Sequence, residues 1–264
     1  MATTGVHSPG RAKIPGATLR TDAWWMQPLV TFLALTAFVA YSAWRVFSGQ
    51  YYVAEPYVSL FYSPCLAVDC QEGAWPGGPF PFAWLSPSLL IAWIPLTFRF
   101  SCYYYRKAYF RSFWLSPPAC AVAEPHGKYT GERRLPLILN NLHRYTFYLA
   151  LLLNVMLTID AIAAFRKPEG GWGYIGLGTI ILCANAAALW FYTLSCHSCR
   201  NAVGGRITHF SKHPVRYKMW TFVSRINAHH MKWAWISLCT VVLADFYVYL
   251  LASGTLTTDL HISF

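Results

Sequence analysis

Apolar residues in this chain gather into five long runs separated by polar segments. The runs cover residues 23–47, 83–101, 141–165, 172–195 and 233–252. At a rise of about 1.5 Å per residue, about 20 such residues cross a hydrocarbon core of about 30 Å. The pattern therefore predicts an all-α integral membrane protein, a bundle of five transmembrane helices. The second run is the least regular, because Pro87 and Pro95 lie inside it. Membrane helices tolerate such kinks where neighbouring groups satisfy the freed carbonyls. Trp24, Trp25, Trp44, Trp84, Tyr103 and Trp172 stand near the run ends, where an aromatic belt places them. Residues 1–22 and 253–264 are left as terminal segments, and the first of these has no apolar core of the signal-peptide kind.

Composition agrees with this division. Hydrophobic residues make up 56% of the chain and charged residues 12%, against about 25% charged in soluble domains. No Pro/Gly linker divides the chain, so one membrane domain over 23–252 is expected. The charge that remains is placed unevenly. Residues 201–232 hold Arg206, Lys212, Arg216, Lys218, Arg225 and Lys232 and no acid. The segment after the second run adds Arg106, Lys107, Arg111, Lys128, Arg133 and Arg134 against Glu124 and Glu132. Residues 51–83, by contrast, carry Glu55, Asp69 and Glu72 with no Lys or Arg. The positive-inside rule then puts the basic loops and the N-terminus in the cytoplasm of a multi-pass cell-membrane protein, with the C-terminal tail outside. Arg166 and Lys167 run against the rule but are outnumbered. The net charge of +11 thus reads as a topology signal, not as a nucleic-acid footprint.

The cysteines and histidines sort by side. Cys65 and Cys70 fall in the outer loop, where either a short disulfide or two free thiols would persist. On the inner side, Cys102 ends the second run and His143 opens the third. Cys196, His197 and Cys199 close the fourth, and His229 and His230 open the fifth. Four consecutive helices would bring soft thiolates and imidazoles to one depth, which suits an iron–sulfur, zinc or haem centre. Taken singly, a His at a helix start is an ordinary interfacial residue, and a lone Cys such as Cys183 or Cys239 a small apolar filler. His229 and His230 lie about 100° apart on a helix. His230 shares its stripe with Ala234, Ser237 and Val241, small enough for close packing, and is the expected inward residue. Asn154 shares the face of His143, and Asn185 that of Cys196. Asp245 lies about 60° around the helix from His230 and about 22 Å further along. Polar residues at membrane depth point into the bundle, so Asn154, Asn185 and Asp245 are candidates for a quinone site or proton route, and equally for helix–helix bonding.

The strings RFSCYYYRKAYFRSFWLSPPAC (99–120), NLHRYTFYLAL (141–151), YTLSCHSCR (192–200), SKHPVRY (211–217) and NAHHMKWAWISL (227–238) carry a resemblance. The sequence is similar to the single membrane-anchor subunit of the haem-free succinate dehydrogenase (respiratory complex II) of actinobacteria. The resemblance implies an anchor that docks a flavoprotein subunit and an iron–sulfur subunit on its cytoplasmic face. It implies electron transfer through an intramembrane Rieske-type [2Fe–2S] cluster to quinone. Such a cluster takes two Cys and two His. His143 and His230 fit the imidazole positions, and Cys102, Cys196 and Cys199 compete for the thiolate positions. The paired Cys-x-His loops of soluble Rieske domains are absent from the sequence. No succinate or flavin site is expected on this chain, which has no Gly-rich dinucleotide turn. Three other readings stay open: a cytochrome b-type anchor with His143 and His230 as haem b ligands, a zinc site, and a purely structural anchor. A transporter would show paired repeats and broken helices, which the sequence does not display convincingly.

Overall fold

A computed structural model describes residues 18, 20–63, 87–122, 124, 134–135, 137–205 and 207–264. Cys65, Cys70, Trp84, the start of the second run and most of 1–22 lie outside the described residues. Helix dominates. In chain order the elements are α1 (Met26–Ser48), strands β1 (Val53–Ala54) and β2 (Tyr57–Val58), α2 (Pro87–Ser101) and α3 (Tyr103–Ser112). A 3₁₀ turn (Leu137–Leu142) leads into α4 (His143–Ala163), followed by β3 (Tyr174–Gly176), α5 (Leu177–Leu194) and α6 (His197–Gly204). A second 3₁₀ turn (Phe210–Lys212) precedes α7 (Pro214–Asn227), α8 (His230–Ala252) and β4 (His261–Ser263).

Four segments among the described residues are long and apolar enough to cross a membrane: α1, Ile138–Ala163, α5 and α8. The helix of the second run, α2, has 15 described residues with Pro95 inside it, about 22 Å of rise and short of a full crossing. The fourth run also differs from its expected bounds. Residues 174–176 pair as β3 with β4, in the register Tyr174↔Ser263, Ile175↔Ile262 and Gly176↔His261. Helix α5 therefore starts five residues later than the apolar run does. Gly170, Gly171 and Gly173 take positive φ in the turn that makes this possible. The fifth run begins its helix earlier than expected, with His229 as the N-cap and His230 inside α8.

The bundle is built around α5, which packs on α8 along one flank and on α4 along the other. Helix α4 in turn meets α2, and α1 leans on α2 and α3. Leu29, Val30, Leu33 and Val39 of α1, Leu152, Val155 and Ile159 of α4, and Leu243 and Phe246 of α8 remain exposed. This apolar exterior is what a lipid-facing surface requires. The short helices α6 and α7 pack on each other at the end where α5 stops and α8 starts.

The opposite end is closed by two polar knots. Arg45 of α1 and Asp245 of α8, both fully buried, form an ion pair with Arg45 Nε 2.7 Å from Asp245 Oδ2. The Tyr41 and Ser59 hydroxyls also donate to that carboxylate. The remaining guanidinium hydrogens reach Ser48 Oγ, the Gln50 carbonyl and the Tyr51 carbonyl at 2.9–3.2 Å. The second knot is Asp259, which accepts hydroxyl hydrogens from Tyr57, Tyr174 and Tyr247 and so pins the C-terminal tail. Gly176 is required there, because a Cβ would come within 1.9 Å of the Asp259 carboxylate and 2.2 Å of the Tyr57 hydroxyl.

Candidate functional site

Two helix breaks and two helix starts meet at one end of the bundle. Cys102 sits between α2 and α3 with φ −67° and ψ 132°. Cys196 sits between α5 and α6 with φ −65° and ψ 146°. Each is an extended residue at a helix junction, so its side chain leaves the helical stack. His143 is the first residue of α4 and His230 the first of α8. Cys102, Cys196 and His230 are buried, whereas His229 is exposed.

The residue before each cysteine is a serine that fixes a histidine. Ser101 Oγ donates to the Thr97 carbonyl at 2.6 Å and lies 3.0 Å from His143 Nδ1. Ser195 Oγ donates to the Tyr192 carbonyl at 3.1 Å and lies 2.7 Å from His230 Nδ1. A hydroxyl has one hydrogen to give. With that hydrogen committed to a carbonyl, each serine accepts from Nδ1–H, and each imidazole is left with an Nε2 lone pair. Those lone pairs face the cysteines crosswise. His143 Nε2 is 3.0 Å from Cys196 Sγ, and His230 Nε2 is 3.5 Å from Cys102 Sγ. Stacking holds the rings in plane: Phe98 lies 4.8 Å from His143 at 2°, and Tyr192 lies 5.2 Å from His230 at 3°.

The two halves of the site thus share one pattern, aromatic-x-x-Ser-Cys, at Phe98–Cys102 and Tyr192–Cys196. Each aromatic ring stacks on the histidine that its own serine bonds, and each cysteine meets the histidine of the other half. Helix-length patterning does not single out these serines and aromatics; the signal that marks them is the five-residue repeat FRFSC/YTLSC.

These donors line a cavity of about 200 Å³ together with Arg106, Asn140, Asn141 and His197. Cys199 is buried in α6 but does not line it. Of the three candidate cysteines, the structure brings Cys102 and Cys196 to the histidines. Burial pushes the Cys102 thiol up and the Cys196 thiol up to about 12. Both remain neutral until something positive displaces their protons. Among the described residues no group of three or more His, Cys, Asp or Glu converges as a single metal ion would need. The donors come as two Cys–His pairs instead. A second cavity of about 150 Å³ lies between α1, α3 and α8, with Gln27, Thr31, Tyr104, Lys107, Arg111 and Trp235 in its wall. Tyr104 separates it from the first site, its ring 5.4 Å from that of His230.

The remaining candidates lie elsewhere. Asn154 donates to the Leu189 carbonyl at 3.2 Å and to Thr193 Oγ1 at 2.9 Å, clamping α4 to α5. Asn185 accepts from Thr240 Oγ1 at 3.1 Å, joining α5 to α8. Asp245 belongs to the Arg45 ion pair at the far end. All three are buried, as expected of polar residues at membrane depth, and the bonds described for them tie one helix to another.

The family model of actinobacterial succinate dehydrogenase subunit SdhC matches residues 26–254. The chain belongs to this family. It is the membrane subunit of a succinate dehydrogenase complex, as the resemblance implied. Among solved structures, it is similar to a chain of the Mycobacterium smegmatis Sdh1 complex in the apo form, with 52% identity, 98% of this chain and 99% of that chain covered, and a TM-score of 0.86. A comparison with curated protein sequences gives no match.

Proposed function

We propose that this SdhC-family subunit is the electron-transferring membrane anchor of a succinate:quinone oxidoreductase, with Cys102, Cys196, His143 and His230 holding a Rieske-type [2Fe–2S] cluster. The observation that carries the reading is the crossed arrangement in which two serines hold two imidazoles by Nδ1 and leave both Nε2 atoms facing thiols. Histidine ligands of metals are held in this way by an outer partner on the second ring nitrogen. Three further features fit the group. A Rieske-type cluster takes two His on one iron and two Cys on the other, and the chain offers two of each around one cavity. The buried Tyr192 hydroxyl points at the Cys102 sulfur and at no oxygen or nitrogen acceptor among the described residues, an orientation that suits a donor to electron-rich sulfur. The cavity volume suits a compact cluster, whereas ligand pockets run to about 300–1,000 Å³ even for molecules smaller than a porphyrin. Haem b ligation is the weaker reading for that reason, and it leaves the two cysteines without a role.

When bound, the cluster supplies one-electron transfer between an iron–sulfur subunit and quinone. The chain's own residues orient and insulate that step. Ser101 and Ser195 set the imidazole tautomers, Phe98 and Tyr192 hold the rings, and the buried helix ends keep bulk water away. We place the quinone headgroup in the second cavity, where Tyr104 of its wall contacts the His230 ring and Gln27, Thr31 and Lys107 offer hydrogen bonds. Asn154, Asn185 and Asp245 then serve as helix ties. The basic face around Arg144, Arg200, Arg216 and Lys218 is the cytoplasmic docking surface for the flavoprotein and iron–sulfur subunits. The second apolar run, residues 83–101, is the fifth span, and the C-terminal tail lies outside.

The test is low-temperature EPR with iron and haem assays on the purified, dithionite-reduced complex. A Rieske-type signal absent from the soluble subunits alone, with no b-type haem band, is the expected result. A haem band without that signal would make His143 and His230 axial ligands instead.

A further inference from the structure

Arg99 of α2 is buried beside the metal site and has no acidic partner among the described residues. Its guanidinium donates to the Tyr105 hydroxyl, to Ser237 Oγ at 3.2 Å and to the Ser237 carbonyl at 3.3 Å, all of them neutral groups. It lies 4.9 Å from the Tyr192 ring centroid, and Tyr192 stacks on His230 at 5.2 Å. The charge is therefore within about 10 Å of His230 and three residues from Cys102. An arginine stays charged when buried, and a buried charge without a counter-charge is costly. Tying α2 to α8 needs hydrogen bonds to Ser237 but no charge. In the other half of the site the matching position is Thr193, a neutral residue bonded to Asn154.

We infer that Arg99 is a positioning residue for electron transfer, the positive charge that stabilises the site when it has taken up an electron and so raises its reduction potential. The inference rests on the cluster reading above. The step is the uptake of one electron by the oxidised site, with no bond made or broken. The added negative charge faces Arg99 across a low-dielectric gap, where Coulomb's law at an effective dielectric constant of about 20 gives a change of about tenfold in the equilibrium.

The test is an EPR-monitored dithionite titration of the whole purified complex carrying Arg99→Gln, Arg99→Lys or Ser237→Asp. Arg99→Gln removes the charge, and Ser237→Asp neutralises it by placing a carboxylate against the guanidinium. Both are expected to make reduction about tenfold less favourable, ~59 mV lower for one electron, while Arg99→Lys stays close to the parent. Should Arg99→Gln fail to load the cluster, Ser237→Asp decides by the same reading. A parent complex with the signal but with unshifted potentials in the charge-neutralised variants overturns the role of Arg99 alone. A parent complex without the signal overturns the cluster assignment and this inference with it.

Discussion

The two ends of the bundle each bury an arginine, and the difference between them separates structure from chemistry. At the far end, Arg45 meets Asp245, one hydroxyl and two carbonyls, so that its charge and its hydrogens are consumed within the protein. At the Cys/His end, Arg99 has only neutral partners among the described residues, and the imidazole Nε2 lone pairs face thiols. A buried polar network that is fully satisfied rigidifies a fold. The far end closes the bundle by such a network, whereas the near end gathers the four donors to which the proposed function assigns a cluster.

The contrast can be broken most severely at the donors. His143→Ala with His230→Ala should abolish the EPR signal of the complex and its quinone reduction together. Full quinone reductase activity in that double variant would remove the basis for a cluster here. At the far end, Asp245→Ala should leave Arg45 buried and uncompensated, a loss of about 3–5 kcal/mol. Thermal unfolding of the complex in detergent would record it, and any complex that still assembles should keep an unaltered EPR signal. A changed signal there would mean that the two ends are not separable.

Smaller changes sharpen the picture. Ser101→Ala or Ser195→Ala removes the group that fixes one imidazole, and outer partners of metal ligands are commonly worth about 10–100-fold in affinity. Iron content against chelator concentration should fall by that order in each variant, and to a similar extent in both. Cys199→Ser should leave iron content and signal as they are, since Cys199 is outside the cavity; loss of the signal would return Cys199 to the ligand set in place of Cys102 or Cys196. Asn154→Leu should cost least, about 0.6 kcal/mol for a hydrogen bond between membrane helices, with quinone reduction preserved. A large rise in the quinone KM in that variant would restore Asn154 to the quinone site and count against the second cavity.

Much of the helix pattern was legible because burial in lipid demands long apolar runs with satisfied backbones, and such runs leave a one-dimensional trace. Helices α1, α4, α5 and α8 are found where the apolar runs predict them. The inward face of α8 was legible too, since Ala234, Ser237 and Val241 are small and share a stripe with His230, and all three are buried. The bounds were less so. The strand β3 reads as the start of an apolar helix until its partner β4, some 90 residues later, is known to pair with it.

The sequence by itself determined the membrane character and the concentration of Cys and His at one depth. These follow from composition and from the order of residues along helices, both local properties. The tertiary structure alone decided which cysteines meet which histidines, because Cys102 and His230 are 128 residues apart and Cys196 and His143 are 53 apart. It alone decided that Asp245 answers Arg45, and that Arg99 is answered by no acid among the described residues. A charge has no fixed meaning along a chain. Its role is set by what lies across the helix interface, at distances over which Coulomb interactions in a low dielectric are strong.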